Sequence, residues 1–346
     1  MNALYRLVFV LGLLGALGFG LFQHPAVQDA LFRQAVSRVM TAPSPPFEGL
    51  QVVVCGSASP LGNSPNHAQA CLAVLTPEHF FIFDVGARAP LRIAQARLPL
   101  GRLDGVFLTH FHSDHIAGLP DVNLASWVQG RPTPLMIYGP EGVATVVEGF
   151  NAAYALDRGY RVAHHGADTL PPALGPMAAT ALAETGVVWA DETLTIRAVR
   201  VDHDPASPAL GYRIDYGGRS VVISGDSNAS DDLFTLAEDA DLLFHDALSR
   251  TLLDPMITQA KAAGLDPLPK IMTDVMDYHA DVESLLAPAK AAKVGQLVLY
   301  HLVPVPPNGL AERLFRRGLP QEVVLAQDLQ RFDLPRGQKD ILIHAP

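Results

Sequence analysis

The chain has 346 residues, 49% hydrophobic and 17% charged, which excludes a disordered or collagen-like polymer and leaves ample material for a core. Lys+Arg 25 against Asp+Glu 35 gives a formal charge of -10, so no global basic field draws in nucleic acid. Two cysteines, Cys55 and Cys71, are too few for a disulfide scaffold and form no CxxC metal site, whereas thirteen histidines stand out.

Residues 7–22, LVFVLGLLGALGFGLF, are an uncharged apolar run behind Arg6, the order of a secretory signal or an uncleaved anchor. We expect residues 1–25 to be this signal or signal-anchor segment. It would attach the chain to a membrane or export it, leaving the rest on a periplasmic or extracytoplasmic face. Residues 26–41 place Val27, Leu31, Ala35 and Val39 near one side of a short amphipathic helix, and the Pro-rich stretch 42–49 is a linker.

From residue 50 short β-branched runs alternate with helical stretches. QVVVC, ACLAVLT and FFIFDVG are strands, and residues 90–99 suit a helix. DGVFLTH is a strand that runs into a histidine cluster. IAGLPDVNLASWVQG is helical, PLMIYGP is a strand, and GVATVVEGFNAAYALDRGY is one long helix. TLTIRAVRVDH, LGYRIDYGGRSVVISGD and ADLLFHDAL supply four strands, with a hairpin turn at Gly217-Gly218. VESLLAPAKAAKV is a helix and QLVLYHLV a strand. The pattern predicts an α/β chain with two packed sheets and helices outside, an αββα sandwich. Cys55 and Cys71 fall on neighbouring strands and are either a disulfide or two buried thiols.

Residues 110–115 read HFHSDH. In an extended or tightly turned segment alternate side chains share a face, so His110 and His112 converge on one ion. Asp114 and His115 start the next helix and address a second. Imidazole and carboxylate ligands without thiolate suit Zn²⁺, with Mn²⁺ or Fe²⁺ as alternatives.

HFHSDH matches the HxHxDH signature of the metallo-β-lactamase fold, which the chain resembles over roughly residues 50–345. Asp84 matches the aspartate that supports the metal loop. The likeness implies a first ion held by His110, His112, His203 and Asp226, and a second held by Asp114, His115, Asp226 and His301. YGPEGV, HDPASPALGYRI, FHDA, DYH and LYHLVP resemble ribonuclease Z and the arylsulfatases of this fold. By that resemblance His279 assists the leaving group, and His245 belongs to a motif whose usual Glu is here Asp246. The shorter Asp246 puts its relay to His279 in question. Only DYGGRSVVIS lies where many bacterial ribonuclease Z enzymes insert a tRNA-gripping arm.

The resemblance therefore implies a binuclear zinc hydrolase of a small anionic ester, a phosphodiester or sulfate ester. Water shared by the ions attacks, Asp114 orients it, and His279 donates the proton. The alternatives are a tRNA 3′ endonuclease, a carboxylic ester or lactone hydrolase, and a non-catalytic metal-bound module. It also implies homodimers. Of the other side chains, Trp127 reads as helix packing, and His164 and His165 as loop or capping residues. Lys261, Lys270 and Arg250 read as scattered surface cations.

Overall fold

The computed structural model describes residues 11, 19–41, 47–61 and 64–346. Two units are distinct, Met1–Pro46 and Phe47–Pro346. In the first, helix α1 (Pro25–Thr41) spans the segment read as a helix, and Leu31, Phe32 and Val36 on it are exposed. The apolar run 7–22 lies outside the described residues except for Leu11 and residues 19–22, as do residues 42–46 of the linker. Among the described residues no helix is long and apolar enough to cross a membrane.

In the second unit the chain runs β1 (Gly49–Gly56), β2 (Cys71–Leu75), β3 (Phe80–Phe83), α2 (Ala89–Gln95), β4 (Gly105–Phe107), α3 (Ser113–Ile116) and α4 (Leu119–Val128). It continues through β5 (Met136–Gly139), α5 (Val143–Ala153), α6 (Ala155–His165), β6 (Ala178–Ala181), β7 (Gly186–Ala190), β8 (Leu194–Val201), β9 (Ala209–Tyr216) and β10 (Arg219–Ile223). Then follow α7 (Asp231–Leu236), β11 (Leu242–Leu248), α8 (Arg250–Ala262), α9 (Leu268–Asp274), α10 (Val282–Ala291) and β12 (Gln296–Val303). The chain closes with α11 (Gly309–Phe315), β13 (Val324–Leu325), β14 (Arg331–Pro335) and β15 (Leu342–His344).

The strands build one sheet in the order β15-β14-β1-β2-β3-β4-β5-β6 and another in the order β13-β12-β11-β10-β9-β8-β7. Period-two alternation buries both faces of each sheet. Val52, Val54, Phe81 and Phe83 point to the layer between the sheets, where they meet Tyr212, Ile214, Phe244 and Tyr300. Val53, Cys55, Phe80 and Ile82 point outward and pack under α2, α4 and α5 with Ile93, Val122 and Val147. On the far side, α7, α10 and α11 cover the second sheet with Leu233, Leu285 and Phe315. This is the αββα sandwich expected from the sequence.

Two expectations change in detail. The long helix after β5 breaks at Tyr154 (φ -99, ψ 9), giving α5 and α6, and α6 runs on to include His164 and His165. The first sheet also gains β14, paired antiparallel to β1 with Val52 opposite Phe332. The hairpin turn at Gly217-Gly218 stands as read, both residues having positive φ.

Cys55 and Cys71 are joined, with sulfurs 2.02 Å apart, across β1 and β2. The bond closes a loop of sequence separation 16, which restricts the unfolded chain. Replacing both cysteines by serine should lower unfolding free energy by about 3 kcal/mol, read from chemical denaturation. An unchanged midpoint would contradict this.

A buried carboxylate ties the loop after β1 to the C-terminal strands. Asp328 accepts from Ser57 N (3.1 Å), Ser57 Oγ (2.8 Å), Ala68 N (2.5 Å) and Arg92 Nε (2.8 Å). Removing it orphans three donors and leaves Arg92 partly buried without its carboxylate. Asp328→Ala should cost about 3–5 kcal/mol of stability, seen as a large drop in Tm.

Candidate metal centre

β4 ends at Phe107, and the chain leaves the sheet toward the histidine motif. The second sheet fixes this turn. Tyr212 Oη donates to the Leu108 carbonyl (2.6 Å), and the Leu210 N–H donates to the Thr109 carbonyl (2.9 Å). Asp84, just after β3, supports it from below. Its Oδ1 accepts from Thr109 N (2.9 Å), and its Oδ2 accepts from Thr109 Oγ1 and His115 Nδ1, both at 2.8 Å. The last bond leaves His115 Nε2 free for the cleft.

The other candidate ligands come from strand ends of the second sheet. His203 follows β8, and its Nδ1 donates to the Tyr278 carbonyl at 2.9 Å. Asp226 follows β10 after Gly225, whose φ is +66 and where a Cβ would meet the Thr109 side chain at 2.8 Å. Glycine at 225 therefore lets the two sheets approach at the site. His301 occupies a bulge in β12, between the pairs Tyr300–Asp246 and Leu302–Ala247, with φ +44. The bulge turns its imidazole into the cleft at a backbone cost that packing must offset.

These side chains converge. His110 Nε2 is 2.9 Å from His112 Nδ1, which is 3.3 Å from His203 Nε2. Asp226 Oδ2 is 3.8 Å from both His110 Nε2 and His203 Nε2. Beside them, His115 Nε2 is 3.2 Å from Asp226 Oδ2 and 3.5 Å from Asp114 Oδ2. His301 Nε2 is 3.0 Å from Asp114 Oδ2. In each set of four, His110–His112–His203–Asp226 and Asp114–His115–Asp226–His301, the ligand atoms lie within 4.8 Å of one another. All seven side chains expected from the sequence are thus brought together, with Asp226 common to both sets.

The donors fit divalent cations. Burial holds His110, His112 and His203 below the ordinary imidazole pKa, in the neutral form that ligates metal. Burial alone would raise Asp226 and Asp114, but His115 and His301 beside them hold both carboxyls below their usual range. Burial likewise opposes charge on His115, yet Asp226, Asp84 and Asp114 raise it well above its usual value. So dense a set of buried carboxylates calls for positive charge. Among the described residues Asp226 Oδ1 and His301 Nδ1 are moreover buried with no hydrogen-bond partner; they lie 3.3 Å apart but are misaligned for such a bond.

His279 stands next to this cluster, its ring 5.3 Å from that of His203 and 5.4 Å from that of His301. Its Nδ1 donates to Asp246 Oδ2 at 2.7 Å, so the shorter carboxylate does reach it. Burial opposes charge on His279, but the bond to Asp246 and the field of Asp226 outweigh it and raise its pKa.

His245 is not brought to the cleft. Strand alternation in β11 sends residues 244 and 246 inward and 245 to the opposite face. There its fully buried ring stacks on Phe234 at 5.8 Å, while Nδ1 lies 2.9 Å from the Asp246 carbonyl. Its place is to brace Asp246 from behind. The other minor residues also settle. Trp127 is buried and donates to the Pro171 carbonyl. Arg250 pairs with Asp281 and Lys270 with Asp274. Thr109 and Tyr212 have no signal in the sequence, because their roles depend on contacts between the sheets.

Comparison with known proteins agrees with this geometry. A family model described as beta-lactamase superfamily domain matches residues 82–302. The ribonuclease Z of Mycobacterium bovis is 36% identical over 267 residues, 76% of this chain and 90% of the relative. The chain belongs to the metallo-β-lactamase superfamily, in its ribonuclease Z-like branch. A second ribonuclease Z, from a Mycobacterium species (strain KMS), is 34% identical over 293 residues, 83% of this chain and 97% of that protein. The short form of human tRNase Z shares the fold, with TM-score 0.57 and 23% identity over 82% of this chain and 99% of that one. This ribonuclease Z-like chain is a metal-dependent hydrolase of that superfamily, and the His–Asp cluster is its candidate metal centre.

Proposed function

We propose that the chain is a two-zinc phosphodiesterase of the ribonuclease Z type, acting on a phosphodiester of RNA. The observation behind this reading is His279, held by Asp246 at 2.7 Å beside the seven converged ligands. The ribonuclease Z relatives at 34–36% identity support it. Zinc suits the donor set of five imidazoles and two carboxylates with no thiolate.

When bound, two such ions supply Lewis acidity and lower the pKa of water. Asp114, buried beside His115 and His301, would orient the attacking water. As the water oxygen bonds to phosphorus, the bond to the departing alcohol breaks. His279 supplies the proton that oxygen needs, and Asp246 keeps the donating nitrogen pointed at it. His110, His112 and His203 would hold the first ion, and Asp84 and the Tyr278 carbonyl keep His115 and His203 in orientation for it. No feature of the site favours a sulfate ester or lactone. Export from the cytoplasm is part of the proposal, and the Cys55–Cys71 bond supports it, since oxidising compartments preserve such bonds.

The test is turnover by the zinc-loaded chain of a 3′-extended tRNA precursor, single-stranded RNA, bis(p-nitrophenyl) phosphate, p-nitrophenyl sulfate and a lactone. RNA and bis(p-nitrophenyl) phosphate should be cleaved. Faster turnover of the sulfate or lactone would overturn the reading.

A further inference from the structure

Beside the ligands, the side chain that borders the site on the His279 side is Tyr278. It follows the 3-10 turn Val275–Asp277. Its backbone and side chain do separate things. The carbonyl pins His203 Nδ1 at 2.9 Å. The ring stands 5.1 Å from the His203 ring, edge to face at 85°, and 5.0 Å from the ring of His279. Tyr278 is only half-buried, and among the described residues its hydroxyl has no hydrogen-bond partner.

The surroundings on the other side are apolar. Tyr278, Met276 and Leu61 pack on a cluster of Leu248, Leu253, Ile257, Met272, Val275 and Val303. α8 and α9, which contribute Leu253, Ile257 and Met272 to that cluster, belong to the excursion between Asp246 and His279. The same excursion therefore delivers both the proton donor and an aromatic ring against it. Because His279 Nδ1 is taken by Asp246, a leaving oxygen is served by Nε2. The group attached to that oxygen then lies beside a partly open aromatic ring with an apolar backing and a free hydroxyl at its rim. A planar π system matches that chemistry; a bare sugar or short alkyl chain gains little from it.

We propose that Tyr278 is the stacking surface of a leaving-group subsite, which takes a planar ring borne by the departing alcohol, either a nucleobase or an aryl group. The proposal rests on the phosphodiesterase reading for its orientation, but the subsite itself is read by binding. Tyr278→Leu removes the ring and leaves the carbonyl that pins His203, and Tyr278→Phe keeps the ring.

The experiment is calorimetric titration of the zinc-loaded full chain and both variants with adenosine monophosphate, phenyl phosphate and inorganic phosphate, with zinc content measured alongside. The unsubstituted chain should bind at least one ring-bearing phosphate more tightly than inorganic phosphate, by about 5- to 150-fold. Tyr278→Leu should erase that excess with two zinc ions retained, and Tyr278→Phe should keep it. An excess confined to adenosine monophosphate identifies a nucleobase, and one confined to phenyl phosphate an aryl group. An excess that survives in Tyr278→Leu, or none in the unsubstituted chain, overturns the proposal. Ring preference without turnover of any phosphodiester would instead defeat the phosphodiesterase reading and leave the subsite standing.

Discussion

Asp226→Ala should leave the chain folded but strip most of its metal and lower turnover by more than about 10³-fold, since losing one well-placed electrostatic stabiliser already costs about 10²–10³. Asp226 is the one side chain common to both ligand sets, with Oδ2 3.2 Å from His115 Nε2 and 3.8 Å from His110 and His203 Nε2. Without it each set keeps three ligands, and nothing links the two. The vacated volume removes one negative charge from among Asp84, Asp114 and Asp246, so the fold itself is not undermined. Circular dichroism should be unchanged while metal analysis falls well below two ions per chain. Two ions per chain in the alanine variant would show that the sets are filled independently of residue 226.

His279→Ala should keep both ions and lose rate. His279 bonds to Asp246 at 2.7 Å, and neither expected ligand set needs its nitrogens. Its removal deprives the leaving oxygen of a proton, worth about 10²–10⁴ in rate for a general acid. The loss should be large for RNA, whose departing alkoxide is a poor leaving group, and small for p-nitrophenolate, which departs without help. Asp246→Asn should follow the same pattern more weakly, because the amide still holds the ring but favours the charged imidazole less. A uniform loss across both substrates would assign His279 to binding or structure rather than to proton donation.

The candidate metal ligands are legible in the sequence because they occur at or near strand ends in compact motifs. HFHSDH, VDHD, SGD and LYHL each follow an apolar run that reads as a strand, so position and chemistry coincide. The His245 placement was also accessible from alternation alone, since Phe244 faces the inner core and its neighbour must face away. Other parts were hidden for physical reasons. β14 is the short RFDLP, whose partner β1 lies some 280 residues earlier, a pairing no local pattern records. α8 and α9 contain or adjoin Pro255, Gly264, Pro267 and Pro269, which read locally as breakers, yet packing on Leu253 and Met272 holds them helical. The break at Tyr154 has neither Pro nor Gly to announce it.

One sheet supplies His110, His112, Asp114 and His115, while the other supplies His203, Asp226 and His301. Ions seated there are therefore cross-ties between the halves of the sandwich as well as chemical agents. Thermal resistance of the protein is then a function of free-ion concentration, rising by about 4 kcal/mol when the ion stands at a thousand times its Kd. Chelation should lower the melting temperature as well as abolish turnover, so a cell starved of the ion would lose the protein to degradation as well as to inactivity.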